Sequence, residues 1–308
     1  MSRNTKFQVD HGLTARMVTT MFLLGLVYAV AVAAALVAGA QIMLVVVIAA
    51  VFLVVQFFFS DRIALWSMKG EIVSPAQAPQ LHAIVDRLCA LANMPKPKVA
   101  IARSDMPNAF ATGRSQKAAV LCVTSGIMRR LSPEELEAVL AHELSHVAHR
   151  DVAVMTIASF LGILAGLVTR MLTWGVILGG GRGGRNNQGG SPLIVVELAA
   201  LAFAAVIYAI SFLLIRALSR YRELAADRSG AILIGQPRLL ANALVKVTGD
   251  IGRIPTRDLR TAQAFNAFFF APALTQGNSV ANLFATHPRL EVRLEQLAKL
   301  EAAMGHAS

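Results

Sequence analysis

Residues 132–146 read SPEELEAVLAHELSH, and this stretch decides how the rest of the chain is interpreted. Ser132 is the predicted N-cap of a helix, and Pro133 occupies a first helical position, where its missing N–H costs nothing. Glu135 completes a capping box with Ser132. The stretch therefore predicts a well-started helix that runs through the two histidines at its end.

The end of this helix carries the pattern of a zinc site. His142 and His146 are four residues apart, so both imidazoles lie on one helical face and can point at the same atom. Glu143 lies about 100° round the helix from His142, near enough to meet a water on the metal but displaced from ligation. This is the HExxH signature, with the Glu as general base. The alternative is a helix that happens to expose two histidines.

A tetrahedral catalytic zinc takes three protein ligands and keeps one open position. The best source of a third ligand is the helical segment 219–228, where Glu223 and Asp227 are one turn apart. Glu223 can ligate while Asp227 hydrogen-bonds a ligating imidazole and fixes its tautomer. In the alternative, the segment is a charged helix surface on which the two acids pair with Arg220 and Arg228.

Composition places the chain in a membrane. Apolar residues make up 56% of the 308 residues and charged residues 15%, against about 25% charged in an ordinary soluble domain. Each of the four apolar blocks approaches or reaches the roughly 20 helical residues that cross a bilayer. The blocks are residues 17–38, 42–59, 152–169 (continued by 171–178 after Arg170) and 192–215. The chain's two cysteines, Cys89 and Cys122, lie in apolar contexts that fit buried thiols in a reducing compartment.

The remaining residues, 60–151 and 216–308, predict a soluble domain in two halves. An amphipathic helix near 80–93 precedes two strand-like runs at 98–102 and 118–124, with turn chemistry between them. This pattern indicates a small sheet beside helices. The Gly/Arg-rich segment 179–191 is typical of a flexible connector.

Topology offers an independent check on the three metal ligands. The histidine pair precedes the third apolar block and Glu223 follows the fourth, so two crossings return the chain to one side. The first two blocks form a hairpin that does the same. Both termini and both soluble halves then share one face, and its excess of basic residues predicts that this face is cytoplasmic.

The chain resembles the HtpX-like membrane metalloproteases, relatives of the CAAX prenyl endopeptidases, over nearly its whole length. Besides the N-terminal hairpin, the resemblance rests on four motifs in matching order. They are Asn108-Ala109-Phe110-Ala111-Thr112-Gly113, Ala141-His142-Glu143-Leu144-Ser145-His146, Arg222-Glu223-Leu224-Ala225-Ala226-Asp227 and Thr286-His287-Pro288-Arg289-Leu290.

The resemblance implies roles for individual residues. It selects Glu223 as the third ligand of one Zn²⁺ per subunit, beside His142 and His146, with Glu143 as the catalytic base and Asp227 behind the ligands. It also implies that Asn108, His287 and Arg293 act near the site, in substrate binding or oxyanion stabilisation. Without the resemblance, His287-Pro288 is a turn and Arg293 a surface residue.

The predicted architecture is an α-helical integral membrane protein whose four transmembrane helices join a mainly helical, gluzincin-like zinc metalloprotease domain with a small β-sheet. Residues 1–59 form the first hairpin and 152–215 the second transmembrane pair with its connector. The protease domain combines 60–151, which holds the HExxH helix, with 216–308, which holds the third ligand. An extended peptide is expected to bind along the sheet edge at residues 108–111, beside a mobile flap at 112–117.

The resemblance implies a zinc-dependent endopeptidase of the bacterial inner membrane that hydrolyses misfolded or damaged membrane proteins at the cytoplasmic face. Its partners are polypeptide substrates and the lipid bilayer. The net charge of +11 is not accompanied by a basic run interleaved with aromatics, so no nucleic acid is expected. The sequence does not predict the oligomeric state.

Three alternatives stay open: a processing peptidase with one defined substrate, a catalytically silent scaffold with a structural metal, and a four-span transporter. Structural zinc sites usually close all four positions with protein ligands and favour Cys, whereas here Glu143 is intact and no fourth ligand is apparent. A transporter predicts charges in mid-membrane, and the chain offers only Arg170 and Glu197, near the block boundaries.

Overall fold

The structure, a computed structural model, describes residues 11–37, 68–113, 115–151, 192–251 and 288–305, with single positions between 47 and 66. Most of the second apolar block, the third block with Arg170, the connector 179–191 and His287 lie outside the described residues. The helices are α1 (His11–Val37), α2 (Pro79–Ala92), α3 (Ser125–Arg130), α4 (Pro133–Ala148), α5 (Pro192–Ile234), α6 (Pro237–Ile251) and α7 (Leu290–Gly305). The strands are β1 (Gly70–Ile72), β2 (Lys98–Ala102), β3 (Ala109–Thr112) and β4 (Val120–Thr124).

The strands form one mixed sheet in the order β1-β2-β4-β3. β2 and β4 are the two runs predicted from sequence, and they pair in parallel from Lys98↔Val120 to Ala102↔Thr124. β1 and β3 pair antiparallel on either side. The expected turn region between the predicted strands therefore contains an additional strand, β3, which forms one edge of the sheet.

The predicted amphipathic helix near 80–93 is α2, which ends at Asn93 in the left-handed conformation. Side chains from one face of the sheet, including Val99, Leu121 and Val123, join a buried cluster with the inner faces of α2 and α4. This cluster is the core of the domain. It holds α4 against the sheet on one side and against α6 on the other.

α4 is a core helix rather than a surface helix, because 13 of its 16 residues are buried. Its first turn carries the predicted capping box. Ser132 Oγ accepts from the backbone N–H of Glu135, and Glu135 Oε2 accepts from the N–H of Ser132 at 3.0 Å. The alternative of a helix that merely exposes two histidines is therefore wrong.

The fourth apolar block and the segment that carries Glu223 form a single helix, α5, of 43 residues. At 1.5 Å per residue it is about 64 Å long. Among the described residues, it is the one helix long and apolar enough to cross a membrane. Large apolar side chains such as Phe203, Val206 and Leu213 are exposed along it. Its C-terminal part enters the domain core, so α5 links the apolar segment to the site directly.

α1 packs alongside α5. Leu24 and Leu218 are completely buried in a cluster of side chains from these two helices, and the Arg16 guanidinium lies 5.9 Å from the centre of the Tyr221 ring. Arg16 precedes Leu24 while Tyr221 follows Leu218, so the helices run antiparallel. The start of α1 therefore lies at the end of α5 that carries the metal-ligand candidates.

Candidate metal centre

Three side chains from two helices converge at the centre of the domain. His142 Nε2 and His146 Nε2, from α4, are 3.2 Å apart. Glu223, from α5, places Oε1 3.5 Å from His146 Nε2 and Oε2 3.8 Å from His142 Nε2. One ligand atom from each residue lies within 4.8 Å of the other two. Ligands at about 2.0–2.1 Å around a tetrahedral zinc are about 3.3 Å apart, so these separations fit a bound metal ion.

The other nitrogen of each imidazole faces a carboxylate. His142 Nδ1 lies 2.9 Å from Asp227 Oδ1, and His146 Nδ1 lies 2.6 Å from Asp151 Oδ2. These partners keep the proton on Nδ1 and leave a lone pair on Nε2. With this tautomer, both lone pairs point into the 3.2 Å space between the two Nε2 atoms, where a cation could bind both. The predicted partnership of Asp227 with a ligand histidine agrees with this geometry.

Both carboxylates are held ionised by buried arginines. Burial alone would raise the pKa of Asp151, but the charge of Arg222 and the hydrogen bond with His146 lower it to about 2. Burial would likewise raise the pKa of Asp227, but the charge and hydrogen bonds of Arg293 hold it below its usual range. Each histidine therefore faces a carboxylate whose lowered pKa keeps it ionised at neutral pH.

Several charged groups are buried around the centre. Besides the imidazoles, four carboxylates and two guanidinium groups are buried there, a formal charge of −2 when all are ionised. They are Glu143, Asp151, Glu223, Asp227, Arg222 and Arg293. Because buried charge is costly unless it is compensated, this excess of carboxylates favours the binding of a divalent cation.

Glu143 lies beside the three ligand candidates without joining them. Its Oε2 accepts a hydrogen bond of 3.0 Å from the backbone N–H of Ala111 in β3. Burial raises the pKa of Glu143 to about 7, against the opposing charge of His146. A carboxyl group with this pKa can exchange a proton near neutral pH, as a general base requires.

The edge strand is anchored at its beginning through Asn108, which is completely buried. Asn108 N–H donates to Thr124 Oγ1, and Thr124 N–H donates to the Asn108 carbonyl, each at 2.9 Å. In an antiparallel ladder the hydrogen-bonded residues alternate, so the N–H of Ala111 points away from β4 and towards Glu143. The backbone of Asn108 thus extends the pairing with β4 by one residue before the strand that meets the site.

Arg293 is among the most buried large side chains, at 1% exposure, so the reading as a surface residue is wrong. Its Nε and Nη2 donate to the two oxygens of Asp227, at 2.7 and 2.6 Å. Its Nη1 lies 4.0 Å from Glu223 Oε2. Arg293 therefore reaches the site from α7, where it donates to Asp227 and lies near the ligand candidate Glu223.

Three contributors were missed at the sequence level. Asp151 follows His146 by five residues, which is not a helical contact spacing, and its partner Arg222 is one of several basic residues in its segment. Gly230 of α5 lies against α4, where a Cβ would stand 2.8 Å from the His142 backbone N. A glycine inside a helix was the only available signal for this close packing.

Comparison with known proteins agrees with this geometry. The model of peptidase family M48 matches residues 75–301. The chain is 55% identical over 303 residues to protease HtpX homolog 1 of Streptomyces coelicolor, covering 98% of this chain and 97% of that protein. It is 54% identical over 298 residues to the protease HtpX homolog of Moorella thermoacetica, covering 96% of each. A crystal structure of S. mikatae Ste24p is similar in fold, with a TM-score of 0.50 at 16% identity, over 96% of this chain and 68% of that one.

Proposed function

Because this chain belongs to peptidase family M48, as an HtpX-like membrane protease, we propose that it is a zinc-dependent endopeptidase whose metal ligands are His142, His146 and Glu223. The observation that carries the proposal is the convergence of two imidazole lone pairs and a carboxylate at separations of 3.2 to 3.8 Å. Each imidazole is backed by an ionised carboxylate. A metal ion bound by all three groups accounts for this arrangement.

A zinc ion would be held by His142, His146 and Glu223, and it would supply Lewis-acid chemistry that lowers the pKa of water to about 7 and polarises a carbonyl group. Glu143 accepts the proton of the attacking water and delivers it to the leaving amine. Its raised pKa and its position beside the ligands, without a ligand role, support this assignment. Asp227 orients His142, and Arg293 keeps Asp227 ionised and in place beside His142.

The substrate is an extended polypeptide that adds to the edge of the sheet at β3. Backbone pairing along an edge strand tolerates many sequences, which suits a protease of varied substrates. Ala111 is partly exposed on this strand, and its N–H meets Glu143 at 3.0 Å. A peptide laid along β3 therefore passes the catalytic base. Asn108 holds the beginning of β3 in place. His287 is assigned a role in substrate binding by the family resemblance alone.

The substrates are membrane proteins, and the active site and both termini face the cytoplasm. α5 supports this setting, because Glu223 follows the end of the apolar block at residue 215 by eight residues, about 12 Å along the helix. The active site can therefore reach substrate segments that lie close to the membrane surface. Degradation of misfolded or damaged membrane proteins, in response to stress, is the role that the HtpX resemblance suggests.

Metal removal tests the proposal. The full-length protein in detergent is assayed on casein as purified, after stripping with a chelator, and after stripping and addition of zinc. We expect stripping to abolish cleavage and a stoichiometric addition of zinc, one ion per chain, to restore it. Cleavage that persists in the stripped protein, with metal content measured below a tenth of an ion per chain, would exclude a metallopeptidase.

A further inference from the structure

The turn that ends α4 contains a left-handed residue that is not glycine, four residues after His146. Arg150 has φ 58°, in the left-handed region. Outside glycine, positive φ values occur at two other described residues, Lys69 and Asn93. Asparagine tolerates this conformation, but arginine has no such preference and is strained there by about 1–3 kcal/mol. Strain of this kind persists only where the surrounding structure gains from it.

The strained conformation at Arg150 places Asp151 beside His146. In a continuous helix, a residue five positions after His146 would lie about 140° round the axis, away from its ring. The turn at Arg150 instead folds the chain back, and Asp151 Oδ2 meets His146 Nδ1 at 2.6 Å. The strained residue and the contact with the ligand are therefore two aspects of one local conformation.

The second helix of the site completes the arrangement. Asp151 Oδ1 lies 3.2 Å from Nε of Arg222, which precedes Glu223 in α5. Both side chains are buried, at 2% exposure for Asp151 and 8% for Arg222. One carboxylate thus bridges the helix that carries His146 and the helix that carries Glu223. A buried carboxylate needs such a cation nearby.

We propose that Arg150, Asp151 and Arg222 form a positioning device for His146, which we call the His146 anchor, and that this anchor sets the affinity for the metal. The left-handed turn at Arg150 places Asp151 2.6 Å from His146 Nδ1, where it orients the ring, and Arg222 links Asp151 to the helix that carries Glu223. The inference rests on the proposed metal site. In this inference, Asp151 orients His146 as Asp227 orients His142.

The test is the zinc dissociation constant of the full-length protein in detergent, measured by competition with a chromogenic chelator. We expect Asp151→Asn to weaken zinc binding by about 10- to 100-fold, the usual effect of removing the partner of a ligating histidine. Asp105→Asn, at an exposed carboxylate paired with Arg129, is the control and should leave affinity unchanged. With saturating zinc, Asp151→Asn should regain most of its proteolytic activity.

The turn is tested separately by two substitutions at one position. Arg150→Gly suits positive φ and should keep zinc affinity within about threefold of the parent protein. Arg150→Val disfavours that conformation and should weaken binding about tenfold, although neither substitution removes a ligand or its partner. Equal affinities for the two variants would mean that the turn does not position Asp151.

The outcomes separate this inference from the function on which it rests. If the parent protein binds no zinc, the proposed metal site itself is wrong. If the parent binds zinc and Asp151→Asn binds it within twofold, the metal site stands and the anchor is wrong. Thermal unfolding of the zinc-free proteins shows whether each variant is folded. If Asp151→Asn binds zinc weakly only because part of the protein is unfolded, the anchor is also wrong.

Discussion

Replacing Glu143 with glutamine is expected to lower kcat/KM for a peptide substrate by about 10²- to 10⁴-fold, the usual contribution of a general base. Glutamine keeps the size of the side chain and can still accept the hydrogen bond from Ala111 N–H, but it cannot take a proton. Because Glu143 is not among the three ligand candidates, the variant should bind one zinc as tightly as the parent. Initial rates at saturating zinc, with zinc content measured on the same samples, check both parts.

A matched control lies on the same helix. Glu134 is exposed in the first turn of α4, so Glu134→Gln should keep the full rate. Loss of zinc together with activity in Glu143→Gln would instead make Glu143 a structural part of the metal site. A variant that retains more than a tenth of the parent rate would contradict the assignment of Glu143 as the base.

Gly230→Ala is expected to disrupt the metal centre without altering any of its polar groups. A Cβ at this position would lie 2.8 Å from the backbone N of His142 and 2.9 Å from its Cα. Backbone cannot move aside as a flexible side chain does, so α5 must shift away from α4. Since Glu223 is on α5 and His142 on α4, the shift separates two ligands. We expect a loss of about 1–3 kcal/mol in stability and zinc binding weakened at least about tenfold.

Gly249→Ala in α6 is the control, because a Cβ there has no atom within 4 Å. This substitution should be neutral or slightly stabilising, since alanine favours a helix over glycine by about 1 kcal/mol. Thermal unfolding with and without zinc, together with chelator competition, distinguishes the two glycines. Parent-like zinc affinity in Gly230→Ala would show that the two helices tolerate separation and that their close contact does not set the site.

The sequence by itself determined the parts of this protein that depend on local periodicity. The capping box at Ser132 and Glu135, the spacing of His142 and His146, and the strands β2 and β4 all follow from contacts between near neighbours in the chain. The last apolar block likewise lies in a helix that is long and apolar enough to cross a bilayer. Such features can be inferred before the fold is known, because they depend on residues that are only a few positions apart in the chain.

For Glu223 the local signal left two readings open, since a Glu and an Asp one turn apart suit both a metal site and a charged surface. The family resemblance decided between them, and the geometry of α5 against α4 agrees with that choice. The two halves of the domain are far apart in the chain, so spacing alone could not bring Glu223 to the histidines.

Only the tertiary structure decided the surroundings of the ligands. Arg293 reaches Asp227 across 66 positions of the chain, and Gly230 matters because two helices from different halves touch there. Asp151 is near His146 in sequence, yet its contact requires the left-handed turn at Arg150, which no residue pattern predicts for arginine. Local spacing thus predicted the histidine pair and Glu143 as a candidate site, whereas the packing of distant segments brings Glu223 to the histidines and decides which residues surround them.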